Sequence, residues 1–246
     1  MKILTLNTWQ ERGPWQDRWD VIFKGLEDYN PDIVCFQEVF NGEWAKEIKR
    51  KAGFSHMFFP SESSGLLIFS QFPILKEECL TMKTQSPTEE YKRYALFTEI
   101  EAGEDRRLAV FNTHLSWRLD EGKVREKQVQ ELLNFIDEST DRHEIVVTGD
   151  LNAPPETPEI EIMRTEGSFR DAYGLLHEDE GFTWDNENPY AREPRVLMPD
   201  RRIDFIFFRN SANLLSNLSS VEIVFKEPDP SGIYASDHYG LLATFG

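Results

Sequence analysis

Nine short apolar runs punctuate the chain: KILTL (2–6), DIVCFQ (32–37), GLLIFS (65–70), YALFTEI (94–100), RLAVFNT (107–113), EIVVT (144–148), IDFIFF (203–208), VEIVF (221–225) and GLLATF (240–245). Most are rich in β-branched or aromatic residues and bounded by turn formers, which predicts buried strands. Three stretches carry a helical period instead. Trp15, Trp19, Ile22, Leu26 and Tyr29 recur at helical spacing in 14–29, behind a Pro14 that suits a first turn. Val124, Val129, Leu132, Leu133 and Ile136 do the same in 123–138, and 42–52 is a third helix candidate. Many strands follow one another without a helix between them. The pattern therefore predicts a mixed α/β sandwich, with two sheets face to face and helices outside. A regular doubly wound βαβ sheet is the alternative, but it needs more helices than the pattern supplies.

Composition narrows the picture. The 246 residues are 39% hydrophobic and contain no Pro/Gly/Ser linker, repeat or low-complexity tract, so a single domain over 1–246 is expected. Lys and Arg number 27 against 44 Asp and Glu, a net charge of −17. A surface that acidic repels a phosphate backbone, so broad non-specific duplex binding is disfavoured, while a local cationic pocket for one phosphate is compatible with it. Cys35 and Cys79 make no disulfide framework, and reduced thiols suit a cytoplasmic location. The apolar start breaks at Asn7, too early for a signal h-region, and no run approaches the roughly 18 apolar residues of a membrane span. A monomer without membrane insertion is expected.

The ends of the strands raise the chemical question. Asn7 follows KILTL, Glu38 follows DIVCFQ, His114 follows RLAVFNT, and Asp150 with Asn152 follows EIVVT. Asp204 opens IDFIFF, and Asp237–His238 precedes the last strand. Singly, each reads as a turn residue or a satisfied core side chain. Together they form one repeated device, in which a buried strand delivers a metal- or proton-competent side chain to a loop. Glu38, Asp150, Asn7, Asn152 and Asp237 offer the oxygen ligands that Mg²⁺ takes. No His/Cys spacing fits Zn²⁺, and neither a G-x-S-x-G elbow nor a phosphate-binding G-x-x-x-x-G-K is present.

In order, LNTW, CFQEV, SGLLIFSQFPI, FNTHL, GDLNAPP, RRIDFIFF and SDHYG resemble the motifs of the endonuclease/exonuclease/phosphatase superfamily, over nearly the whole chain. THL and GFTWDNENPYAR resemble its sphingomyelinase-like and 5′-tyrosyl-DNA-phosphodiesterase-like members. The resemblance implies a four-layer αββα sandwich of two mixed β-sheets flanked by helices. It implies that Glu38, Asn7 and Asp237 hold Mg²⁺, with Mn²⁺ as a possible substitute. Asp150 and Asn152 would orient the attacking water and the phosphate. His238, oriented by Asp204, would act as general base or phosphate contact, and His114 would donate to a phosphate oxygen or the leaving group. Trp184 would line the cleft or pack as a core indole, with Asn188 shaping the same loop and Arg93 serving as a nearby cation or a surface one. Four arginines, Arg192, Arg195, Arg201 and Arg202, interleaved with Glu193 and Asp200, read as a solvated loop or as a phosphate grip. The implied reaction is metal-dependent hydrolysis of a small or lipid-linked phosphate ester by in-line attack of water. DNA-end processing is the alternative, and a non-catalytic binding module on the same fold is a third reading.

Overall fold

All nine apolar runs form strands, and the two sheets they build carry the candidate side chains on one common edge. The computed structural model describes residues 1–103, 106–142, 144–192, 198–209 and 212–246. Along the chain lie β1 (Lys2–Asn7), α1 (Trp15–Tyr29), β2 (Ile33–Gln37), α2 (Gly42–Ala52), β3 (His56–Phe58), β4 (Leu66–Ser70), β5 (Ile74–Thr81), β6 (Tyr94–Glu101) and β7 (Arg107–His114). Then come α3 (Gly122–Ser139), β8 (Ile145–Asp150), α4 (Pro158–Thr165), β9 (Phe169–Asp171), α5 (Ala172–Leu176), β10 (Asp204–Arg209), α6 (Ala212–Asn217), β11 (Leu218–Val224) and β12 (Gly240–Phe245).

One sheet has the order β11-β12-β1-β2-β4-β3, the other β5-β6-β7-β8-β10-β9. Each is antiparallel except at its centre, where β1 runs parallel to β2 and β7 parallel to β8. Between the sheets lies a core of Ile3, Cys35, Ile68, Leu108, Val110, Ile206 and Leu241 among others. Alternate residues of the same strands point outward: Leu4, Phe36 and Phe69 pack with Trp19, Ile22 and Ile48 of α1 and α2. On the other side Phe111, Val147 and Phe205 pack with Leu132 and Ile136 of α3 and Ile160 of α4. Period-2 alternation with both faces covered is the signature of a four-layer αββα sandwich, and that is the fold.

Strand direction answers why the sandwich gathers these side chains. The parallel pairs set Asn7 opposite Gln37 and His114 opposite Asp150, so four carboxyl-terminal ends open on one edge. The antiparallel neighbours contribute their beginnings there: Asp204 pairs with Asp150, and β12 starts beside the end of β1. Beneath this edge a polar bridge links the sheets. Gln37 Nε2 donates to Asn112 Oδ1 (2.7 Å) and Thr5 Oγ1 (3.0 Å), and Asn112 Nδ2 donates to the carbonyls of Phe36 (2.9 Å) and Leu67 (3.1 Å).

The loop after β1 is held unusually. Trp9 (φ 56) and Gln10 (φ 50) are consecutive left-handed non-glycine residues, a conformation that costs energy unless its surroundings enforce it. Fully buried Arg18 of α1 enforces it, donating to the carbonyls of Thr8 (2.8 Å), Trp9 (3.2 Å), Gln10 (2.8 Å) and Arg12 (3.0 Å), and to Ala235 (2.9 Å) across the molecule. Burial lowers its pKa to about 10, against the opposing pull of Asp237, so the guanidinium stays charged. Arg18→Met leaves these carbonyls without their donor and is expected to cost about 3–5 kcal/mol in denaturant unfolding. A variant as stable as the native chain would remove the assigned role.

Candidate active site

Asp150, 1% exposed, is the hub of the edge. Its Oδ2 accepts from Asn7 Nδ2 (3.0 Å) and its Oδ1 from the Asn152 backbone N–H (2.9 Å). The same Oδ2 lies 3.4 Å from His114 Nε2 and 3.7 Å from His238 Nε2. Asn152 takes a left-handed backbone (φ 51) to present this N–H, and its Nδ2 donates to the Leu115 carbonyl (3.2 Å). Burial, with Asp204 adding to it, pushes the Asp150 carboxyl up to about 6 against the opposing pull of His238.

The two histidines are driven apart. His238 Nδ1 is 2.8 Å from Asp204 Oδ2, which is itself fully buried. Burial works against the His238 charge, but Asp204, Asp150 and Asp237 outweigh it and raise the pKa to about 10, so the ring is cationic at neutral pH. His114 goes the other way: burial, then Arg93 and His238, lower it well below the usual range. One imidazolium beside one neutral imidazole, both against a single carboxylate, divides proton-donating and proton-accepting work between distinct groups.

Next to this triad stands a second, all-oxygen set. Glu38 follows β2 with φ 64, and Asp237 is buried, with Oδ1 3.1 Å from Ser236 Oγ. Burial pushes the Asp237 carboxyl up to about 7, and neighbouring Glu38 adds to the push against the pull of His238. Asn7 lies close by, since its carbonyl oxygen is 2.6 Å from the same Ser236 Oγ. A buried carboxylate with a carboxylate neighbour is the environment a hard cation relieves, and the donor chemistry fits Mg²⁺ or Mn²⁺. A different trio, Asp150, Asp204 and His238, also brings its ligand atoms within 4.8 Å of one another. There the charge of His238 already balances the carboxylates, so the Glu38–Asp237 side is the better cation seat.

Asn7, Glu38, His114, Asp150, Asn152, Asp204, Asp237 and His238 thus meet at one edge. The remaining three candidates have other placements. Trp184 presents an edge-on ring 5.0 Å from His238 and is partly exposed, so it flanks the site. Asn188 is fully buried, with Nδ2 on the Ser236 carbonyl (2.8 Å) and Oδ1 receiving the Tyr190 N–H (3.0 Å). Those bonds moor the 183–192 loop to the Ser236–His238 turn. Arg93 reaches close enough to depress His114, but Glu89 Oε2 holds its Nε (2.9 Å) and Nη2 (2.7 Å). Of the arginine-rich loop, Glu193 and Arg195 lie outside the described residues. Arg202 forks onto Asp171 (3.1 and 2.8 Å), a structural pair and not a free grip.

Ser236 and Thr183 were not legible as functional. The Thr183 hydroxyl oxygen accepts the N–H groups of Ile203 and Asp204 (3.1 and 3.2 Å), which fixes the entry to β10 and with it the Asp204 carboxylate. Each is immediately adjacent in sequence to a flagged residue, Asp237 and Trp184, and that adjacency was the available signal.

The chain is similar to known proteins over nearly its whole length. The model of the Endonuclease/Exonuclease/phosphatase family matches residues 4–238. Tyrosyl-DNA phosphodiesterase 2 of Gallus gallus is 26% identical over 98% of this chain and 66% of its own length. Nocturnin of Rattus norvegicus is 26% identical over 94% of this chain and 58% of its own length, so the chain spans about two thirds or less of these curated relatives. Among solved structures, Danio rerio tyrosyl-DNA phosphodiesterase 2 with a single-stranded DNA product superposes with a TM-score of 0.82 at 21% identity, covering 100% of this chain and 98% of that one.

Proposed function

The chain belongs to the endonuclease/exonuclease/phosphatase family, and on that premise we propose that it is a Mg²⁺-dependent hydrolase of a small or lipid-linked phosphate ester. The observation that carries the reading is Asp150, a buried carboxylate raised to about 6 and set between a cationic and a neutral imidazole. A base with a pKa near the working pH is the best compromise between being ionised and being basic.

Water attacks phosphorus in line with the leaving oxygen, and Asp150 takes its proton. Cationic His238 donates to a non-bridging phosphoryl oxygen, held in orientation by Asp204. The Asn152 side chain, fixed by its left-handed backbone, orients the phosphoryl group. His114, neutral and 3.4 Å from Asp150, can donate a hydrogen bond to a phosphoryl oxygen but has no acidic proton to give, so the departing oxygen takes its proton from solvent water. Glu38, Asp237 and Asn7 would hold a divalent cation, which would neutralise the charge that builds on oxygen.

Cation binding has a readout independent of turnover. Mg²⁺ at ten times its Kd stabilises by about 1.4 kcal/mol, or about 3–5 °C for a chain of this size. The native melting temperature is expected to rise by that amount and that of Glu38→Gln to stay unchanged. An equal rise in both would move the cation away from Glu38.

A cleft of about 910 Å³ beside Glu38 bears on the substrate. Its walls include Glu11, Glu62, Glu90, Tyr91 and Trp44, with Lys92 as the single cation among the described lining residues. Such walls repel the flanking phosphates of a nucleic-acid strand and tolerate a neutral or apolar alcohol. DNA-end processing stays as the second reading because the relatives named tyrosyl-DNA phosphodiesterase 2 match nearly the whole chain. Hydrolysis of bis(p-nitrophenyl) phosphate, p-nitrophenyl phosphate and a 5′-tyrosyl oligonucleotide, each with Mg²⁺, Mn²⁺ or EDTA, decides between them. Metal-dependent cleavage of the simple esters supports the first reading, and a strong preference for the oligonucleotide replaces it with the second. Inertness toward all three would leave a binding module.

A further inference from the structure

Among the described residues the buried arginines differ in how fully they are paired. Arg18 has its carbonyl ligands, Arg93 has Glu89, Arg125 has Glu159 Oε1 (2.7 Å) and two carbonyls, and Arg202 has Asp171 on both terminal nitrogens although its Nε is unmet. Arg201 is different. It is 5% exposed, yet its Nε and Nη1 have no hydrogen-bond partner among the described residues. Among the described residues its one side-chain hydrogen bond is from Nη2 to the Met198 sulfur at 3.8 Å, a weak acceptor. Burying a guanidinium with its donors unmet is costly, and natural interiors avoid it.

The surroundings point to what those donors face. Arg201 and Trp184 exchange backbone hydrogen bonds (both 2.9 Å), so a two-residue antiparallel bridge holds their side chains together. The guanidinium carbon stands 5.7 Å from the centre of the Trp184 ring, which is in turn 5.0 Å from the centre of the His238 ring in an edge-to-face arrangement. Trp184 Nε1 is a second buried donor without a partner. Asp150 and Asp204 are near enough to favour the Arg201 charge, but among the described residues neither closes an ion pair with it. Three donor nitrogens without partners thus cluster about the indole that packs on His238.

Resting on the phosphate-ester reading, we infer that Arg201, seated on Trp184, is a phosphate-binding residue that donates to a non-bridging oxygen of the substrate. It adds a cationic donor beside Trp184 and His238, in a site whose other charged groups include the carboxylates of Asp150, Asp204 and Asp237. A phosphoryl oxygen bound by such a donor is held in one orientation for in-line attack. The arginine also accounts for anion capture by a chain whose net charge is −17. A single local cation with unmet donors suffices, and no basic surface is needed.

The test is calorimetric binding of inorganic phosphate, with Mg²⁺ present, to the native chain, Arg201→Met and Arg201→Lys, beside diester kinetics and melting temperatures. Arg201→Met is expected to weaken phosphate binding and lower kcat/KM by about 10- to 100-fold, with Arg201→Lys recovering part of both. Its melting temperature is expected to hold or rise, because an apolar side chain replaces donors that had no partner. A purely structural arginine, for instance one bridged through water to the unpartnered Asp204 Oδ1, gives the reverse: a clear drop in melting temperature with phosphate affinity unchanged. That result overturns the inference, as does a native chain that binds no phosphate. If phosphate binding depends on Arg201 while no ester is hydrolysed, the inference stands and the hydrolase reading fails. If esters are hydrolysed equally by all three proteins, the inference fails alone.

Discussion

Asp150→Asn is expected to lose about 10²- to 10⁴-fold in kcat, the typical contribution of a positioned general base, while folding as the native chain does. The activity loss follows from geometry: Asp150 is the carboxylate that touches Asn7, the Asn152 N–H and the surroundings of both histidines, and an amide cannot take a proton from water. The retained stability follows from burial. A carboxylate 1% exposed, whose pKa is raised above the usual range, is a charge the folded state disfavours. Its stabilising contribution is therefore negative once ionised, and stability falls as pH rises through the window between the ordinary value and about 6. The isosteric amide removes that penalty, although one of the two donors facing position 150 loses its acceptor. These terms nearly cancel, so the melting temperature should stay within about 3 °C of native at neutral pH, a shift of about 1 kcal/mol. Circular dichroism melts beside single-turnover kinetics check both halves. An inactive protein that melts far below native would mean that Asp150 holds the fold together, and its loss would say nothing about proton transfer. An active one would remove it from the mechanism.

Gly149→Ala, one residue earlier, is expected to do the opposite, with the fold failing first. Gly149 has φ 140, a region closed to other residues, and a Cβ there would sit 2.0 Å from the Thr113 carbonyl oxygen and 2.9 Å from its carbon. Both are backbone atoms of β7, and Thr113 is the register partner of Gly149 in the central parallel pair. Relief requires parting β7 from β8, the pair that aligns His114 with Asp150. Overpacking of about 1–3 kcal/mol and backbone strain of similar size together suggest a loss of about 4 kcal/mol, which corresponds to about 8–16 °C in melting temperature. Activity measured well below the new melting point should also fall, because the two strand ends no longer meet in register. A variant that melts within a degree or two of native would show that the close approach is not real.

The sequence carried most of the strands for a simple reason. Strands that are buried on both faces must be continuously apolar, and β1, β2, β4, β7, β8, β10 and β12 are such strands, with nearly every residue buried. The same reasoning explains what was illegible. β5, ILKEECLT, is an edge strand with most residues exposed, and its charges are those that keep an edge from pairing further. β3 and β9 have three residues each, too short for any period to register, and both lie at sheet edges. Among the helices, α4, α5 and α6 have eight residues or fewer, below the span that a helical repeat needs.

The site divides along the same line. That Asn7, Glu38, His114, Asp150, Asn152, Asp204, Asp237 and His238 form one candidate set was legible in the sequence alone, because each stands where an apolar strand ends or begins and the chemistry of their side chains is one set. What only the tertiary structure decided is how charge is distributed among them. Two histidines that are alike in sequence become a cation and a neutral ring, because three carboxylates outweigh burial at His238 while burial, then Arg93 and His238, lower His114. Arg93, Arg201 and Arg202 are equivalent as letters, but Glu89 and Asp171 occupy the first and last and leave Arg201 with its donors open. Burial and pairing are properties of position in three dimensions, set by residues up to 230 places apart, and a one-dimensional pattern holds no distance between them.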